Sequence, residues 1–170
     1  MHLITTLALA ALTTALPTTS SSSKIGNAVV TNNCPSPIYL WSVGSSVSPK
    51  HTLAPGANYT EPFHHDLSSG GIALKITRTD NGLYDGGAQL TYSYTLDAAT
   101  ASGAQNVWYD LGSVFGDAFK GEGLVVKPAE NSGCESICWA EGVAPSGGSQ
   151  VKRCDATAGD VELVVCADGC

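Results

Sequence analysis

Residues 28–43 read AVVTNNCPSPIYLWSV, from Ala28 to Val43. The apolar run Ala28-Val29-Val30 leads to Asn32-Asn33-Cys34, the corner Pro35-Ser36-Pro37 follows, and Ile38-Tyr39-Leu40-Trp41 resumes the apolar pattern. β-branched and aromatic residues bounded by Asn, Pro and Ser predict two strands joined by a turn. Cys34 stands apart from the other five cysteines, Cys134, Cys138, Cys154, Cys166 and Cys170. Its partner is therefore expected near the far end, at Cys166 or Cys170. Such a bridge would tie the first strand to the last. Closing a loop of about 130 residues contributes on the order of 5 kcal/mol in the chain-entropy model.

The chain has 170 residues and begins with a short apolar segment, Leu3-Ile4 and Leu7 to Leu12, followed by the small residues Thr13-Thr14-Ala15. This reads as a secretory signal peptide, and Thr18 to Ser23 as a polar leader. Residues 1–23 are set aside on that ground, with cleavage between Ala15 and Ser23, and residues 24–170 are expected to form one domain. No stretch is long enough to cross a bilayer as a helix. Six cysteines in a secreted chain imply three disulfides rather than a zinc site or catalytic thiols. The preferred pairing is Cys34–Cys166, Cys134–Cys154 and Cys138–Cys170, one of many that six cysteines allow. The formal charge of −7 with a pI near 4.8 argues against nucleic acid, because phosphate binding needs a basic face. It equally disfavours anionic membrane surfaces. A monomer that binds neutral polymers or proteins is expected.

No segment sustains a 3.6-residue period. Short apolar runs separated by Gly, Ser, Thr, Asn and Pro predict an all-β sandwich or barrel. In the clearest strand, Leu90, Tyr92, Tyr94 and Leu96 alternate with Thr91, Ser93 and Thr95, so one face is buried and the other solvated. Ile72, Leu74 and Ile76 share one face of another strand. Lys50 to Leu53, Val107 to Leu111, Leu124 to Lys127 and Val161 to Val165 supply more. Ala54-Pro55-Gly56-Ala57 suits a type II turn. Residues 131–160 are Gly- and Ser-rich, and are expected to form a loop-rich lobe held by disulfides rather than by a core.

Several blocks, in order, resemble the thaumatin-like proteins: TNNCPSPIYLW, LAPGANYTEPF, GGIALKIT, LTYSYTL, VWYDLGSVFGDAF and LVVKP, with a C-terminal cysteine as anchor. The likeness spans most of residues 28–128 and is nearest to the small antigenic proteins of filamentous fungi, the yeast-phase-specific antigen branch. It implies a thaumatin-like β-sandwich. It also implies a secreted or cell-wall protein that binds β-glucan, another wall polysaccharide or a host surface protein. Plant members carry an acidic cleft of an Arg, a Glu and Asp residues, proposed to bind or cut β-glucan. Those positions fall here on Lys75, Ser93, Asp110 and Asp117. Glycoside cleavage needs two carboxyls, and Ser93 cannot titrate as a general acid. A non-enzymatic binding protein is therefore expected, and a weak endo-β-1,3-glucanase using Asp110 and Asp117 is the alternative.

His64-His65-Asp66, with His51, forms a second candidate site, for copper or zinc. Against a metal, neighbouring strand residues point to opposite faces, and Asp66 suits a loop cap. Trp41, Trp108 and Trp139, with Tyr39, Tyr59, Tyr84 and Tyr109, are candidate sugar-stacking rings. Trp139, beside Cys138, is expected at the surface, whereas Trp41 and Trp108 sit within strands. Asp66, Asp80, Asp85, Asp110 and Asp117 either line an acidic groove or cap turns. Asn58-Tyr59-Thr60 is an N-glycosylation sequon next to a turn, and Asn58 is expected to be glycosylated in a secreted eukaryotic chain.

Overall fold

A computed structural model describes residues 24–101, 103–147 and 150–170; the expected signal peptide and leader lie outside these residues. The described residues form eleven strands. In chain order they are β1 (Asn27–Asn32), β2 (Ile38–Val43), β3 (His51–Leu53), β4 (Asn58–Pro62), β5 (Ile72–Thr77) and β6 (Gln89–Leu96). Then come β7 (Asn106–Val114), β8 (Gly123–Pro128), β9 (Ile137–Trp139), β10 (Lys152–Asp155) and β11 (Val161–Ala167). The fold is all-β: a five-stranded sheet ordered β4-β1-β11-β8-β9 faces a six-stranded sheet ordered β10-β7-β6-β5-β2-β3.

The corner at Pro35-Ser36-Pro37 carries the chain from one sheet to the other. Asn32 secures it. Its side chain, fully buried, donates to Leu53 O at 2.8 Å and Ser36 O at 3.0 Å and accepts from the Cys34 N–H at 2.9 Å. Each buried polar atom is thus paired, which makes the burial tolerable. β1 runs parallel to β11, with Asn32 opposite Val165, while the other strand pairs are antiparallel. Beyond that register Cys34 is bonded to Cys166, and Cys134–Cys154 and Cys138–Cys170 join the C-terminal third. Ala57 N–H closes on Ala54 O at 2.9 Å with Gly56 at φ 77°, as a type II turn demands.

Period-2 alternation decides the core. Ala28 and Val30 of β1 and Leu163 and Val165 of β11 meet Leu74 and Ile76 of β5, Tyr92 and Tyr94 of β6, and Val107 and Tyr109 of β7 across the interface. Three phenols stitch the layers together: Tyr92 OH donates to Val161 O, Tyr94 OH to Glu61, and Tyr109 OH to Glu135 O.

Residues 131–160 are not a lobe hung outside the core. They supply β9 to one sheet and β10 to the other, and Ile137, Trp139, Cys154 and Ala156 belong to the core. Trp139 is 1% exposed, so its expected surface position is corrected. β9 and β10 are too short for alternation to reveal them, and their burial comes from pairing with β8 and β7.

Candidate functional site

The outer face of the six-stranded sheet collects the polar halves of the alternating strands. Register sets them in rows. Trp41 of β2 lies opposite Lys75 of β5, Lys75 opposite Thr91 of β6, and Thr91 opposite Gly112 of β7. In the next row Ala73, Ser93 and Asp110 are successive neighbours, and beyond them Thr95, Trp108 and Arg153. Lys75, Ser93 and Asp110 therefore share this face. Asp117 is not part of these strand rows. It lies past the end of β7, in a turn where its carbonyl accepts from the Lys120 N–H at 3.2 Å. Strand rise alone puts Asp110 about 13 Å from Val114.

Two adjoining depressions cross this face. One, of about 240 Å³, is bounded by Ser93, Thr95, Trp108, Asp110 and Val151. The other, of about 310 Å³, runs on over Ser93 and Thr95 to Ala73 and the Ser69-Gly70-Gly71 turn. Trp108, 39% exposed, forms the wall. Its Nε1–H donates to the Asp97 carboxylate at 3.1 Å, and the Arg153 guanidinium lies 5.7 Å from the ring centroid. The indole is thus pinned before any ligand arrives. Burial pushes the Asp110 carboxyl up, and the Leu111 N–H at 2.8 Å offsets part of that. Burial also lowers Lys75, whose Nζ donates to Thr91 Oγ1 at 2.9 Å. Among the described residues Lys75 has no carboxylate partner.

The histidine motif lies elsewhere and does not assemble a metal site. Among the described residues no three His, Cys, Asp or Glu side chains converge to hold an ion. His64 Nδ1 is 2.9 Å from Tyr94 OH and 3.1 Å from Pro62 O, whereas His65 Nδ1 is 3.0 Å from Leu96 O. His51 packs its ring on Tyr59 at 4.7 Å. Tyr94 OH donates its one proton to Glu61 Oε1 at 2.6 Å, so His64 Nδ1 is the donor of its own contacts. Tyr59 OH donates to Glu61 Oε2 at 2.6 Å. Burial, followed by the Glu61 contact, raises both phenols well above the ordinary tyrosine range.

Asp66 is a loop cap. It accepts from the Ser45 N–H and hydroxyl, both at 2.8 Å, and from the Ser68 and Ser69 N–H groups, both at 2.9 Å. The Ser45 amide, then that of Ser69, holds its carboxyl well below the usual range. The folded pKa is therefore the depressed one. Its stabilisation is present above the unfolded value of about 3.9 and is lost as pH falls below it. In thermal melts, Asp66→Ala is expected to lower Tm at about pH 5, with the gap to wild type closing towards about pH 2. A gap that stays constant with pH would refute this role.

Sequence reading missed Glu61, Asp97 and Arg153. Alternation in Asn58-Tyr59-Thr60-Glu61 already places Tyr59 and Glu61 on one inward face, and β7 alternation places Trp108 outward. Asp97 and Arg153 reach Trp108 through a turn and through the β7–β10 register, which carry no local signal.

Architecture and disulfides together define a thaumatin-like β-sandwich, and three disulfides fit an oxidising compartment. The crystal structure of the protein elicitor MoHrip2 from Magnaporthe oryzae shares the fold at a TM-score of 0.64, with 22% identity over 84% of this chain and 99% of that one. The chain belongs to the Blastomyces yeast-phase-specific protein family, whose family model matches residues 15–167. An antigenic thaumatin-like protein of Arthroderma benhamiae is 30% identical over 96% of this chain and 82% of its own length. The secreted thaumatin-like protein calA of Emericella nidulans is 30% identical over 69% of this chain and 64% of its own.

Proposed function

We propose that this chain is a secreted, non-enzymatic binding protein of the fungal wall or its surroundings, and that its ligand is β-glucan. The observation that carries this reading is the trough across β5, β6 and β7, with the pinned Trp108 indole as its wall. A sugar ring presents an apolar face for stacking and a rim of hydroxyls. Trp108 supplies the stacking surface, and Ser93, Thr95 and Asp110 supply hydrogen-bonding groups beside it. Secretion is supported by the three disulfides and by the secreted relative. A glucanase role finds less support. Carboxyl pairs in glycosidases lie roughly 5 to 10 Å apart, Ser93 occupies the place of the expected Glu, and Asp117 lies beyond the end of β7.

A protein partner is the second reading, favoured by the exposed rings of Tyr84 at 66% and Phe115 at 72%. Phe115 holds φ 57°, an uncommon conformation for a bulky residue. Sedimentation with insoluble β-1,3-glucan separates the two. Wild type is expected to be retained, Trp108→Ala to lose about tenfold or more in affinity, Asp110→Ala to weaken as well, and Phe115→Ala to match wild type. No retention of wild type, or equal retention of Trp108→Ala, would refute the glucan reading.

A further inference from the structure

We infer that Asn58 carries an N-linked glycan that spreads over the outer face of the five-stranded sheet, leaving the six-stranded face bare. Asn58-Tyr59-Thr60 is the one Asn-x-Ser/Thr sequon in the sequence. Among the described residues it sits on β4, an edge strand that pairs with β1 alone. Alternation on this strand divides the sequon cleanly. Tyr59 and Glu61 turn inward, and Glu61 receives the Tyr94 hydroxyl from the opposite sheet. Asn58 and Thr60 are both exposed and point away from that sheet. Among the described residues the Asn58 amide has no hydrogen-bond partner, so attaching a sugar to its Nδ2 breaks nothing.

The register says what the glycan covers. Asn58 lies opposite Thr31, Thr31 opposite Val164, and Val164 opposite Val125, one outward row across four strands. Lys127, opposite Glu162, stands in the neighbouring row. A glycan rooted at the β4 edge would overlie this face and also block the open edge against pairing with another strand. The Trp108 trough lies on the outer face of the opposite sheet, and the two sheets pack about 10 Å apart, so the glycan is rooted facing away from it. This last step rests on the glucan-binding reading; the glycan itself does not.

The test uses the full chain secreted from a eukaryotic host. Glycopeptide mapping is expected to find the sugar at Asn58, and Asn58→Gln is expected to remove it. N-glycosidase treatment of the folded protein is expected to raise acylation of Lys127 severalfold and leave Lys75 unchanged. Glucan retention is expected to be equal before and after that treatment. An unmodified Asn58 would overturn the site, and unchanged Lys127 acylation would overturn the coverage. Retention by the wild type that rises on deglycosylation would overturn the bare face. If no form is retained on glucan, the binding reading fails while mass and acylation still decide the glycan.

Discussion

Replacing both Cys34 and Cys166 by serine is expected to remove about 5 kcal/mol of stability. The two residues are separated by 132 positions, so their bond restricts nearly the whole described chain when unfolded. The bridges Cys134–Cys154 and Cys138–Cys170 span 20 and 32 positions. On the same logarithmic dependence each contributes about 3 to 4 kcal/mol. Domain stabilities run at about 5–15 kcal/mol, so the double variant falls near the margin of folding. Local structure adds to the effect. The bond sits just past the parallel β1–β11 pairing, where the Asn33 N–H donates to Val165 O at 2.9 Å. Parallel pairing between the two ends of a chain is distant in sequence and gains most from a covalent link. Urea unfolding of wild type and of the three double-serine variants checks this. A loss below about 1 kcal/mol for Cys34/Cys166, or a smaller loss than for either short bridge, would refute it.

Trp139→Ala is expected to cost about 3–5 kcal/mol, the range for removing a large aromatic from a closed core. The ring is 1% exposed on β9, and its residue lies opposite Leu124 of β8. Trp139→Phe is expected to cost much less. The indole Nε1–H is buried and has no hydrogen-bond partner among the described residues. An unpaired buried donor is unfavourable by about 1–3 kcal/mol, and phenylalanine removes it while filling most of the space. The ranking matters more than either value. Denaturant unfolding in which phenylalanine destabilises as much as alanine would mean that the indole N–H is satisfied. Loss of β9 packing would also loosen the segment that the Cys138–Cys170 bond closes, so the Trp139→Ala variant should become more sensitive to proteolysis between residues 131 and 160.

Trp139 and Trp108 show how far the residues could be read. Trp108 lies in Val107-Trp108-Tyr109-Asp110-Leu111, where Val107, Tyr109 and Leu111 are the buried positions and the tryptophan takes the outward one. The alternation was there to be used. Trp139 lies in a three-residue strand within a Gly- and Ser-rich segment, and nothing local distinguishes it from a surface residue. The histidine pair lies in the loop after β4 and takes separate partners: His64 the Tyr94 hydroxyl and His65 the Leu96 carbonyl. Lys75, Ser93 and Asp110 come to one face because each keeps its strand's parity. Asp117 falls outside because β7 ends at Val114.

The residues alone determined an all-β body, because alternation of period two is a local property of the chain. They also determined an acidic surface, and the need for Cys34 to find a partner far along the sequence. Tertiary structure decided which sheet each strand joins, that residues 131–160 complete both sheets, and that Glu61 ties Tyr59 and Tyr94 together. It also decided that Asp97 and Arg153 pin Trp108 at the trough. These contacts depend on register between strands far apart in sequence, such as Cys154 opposite Val107. Register is settled by the packing of the whole sandwich, which no single stretch of residues contains.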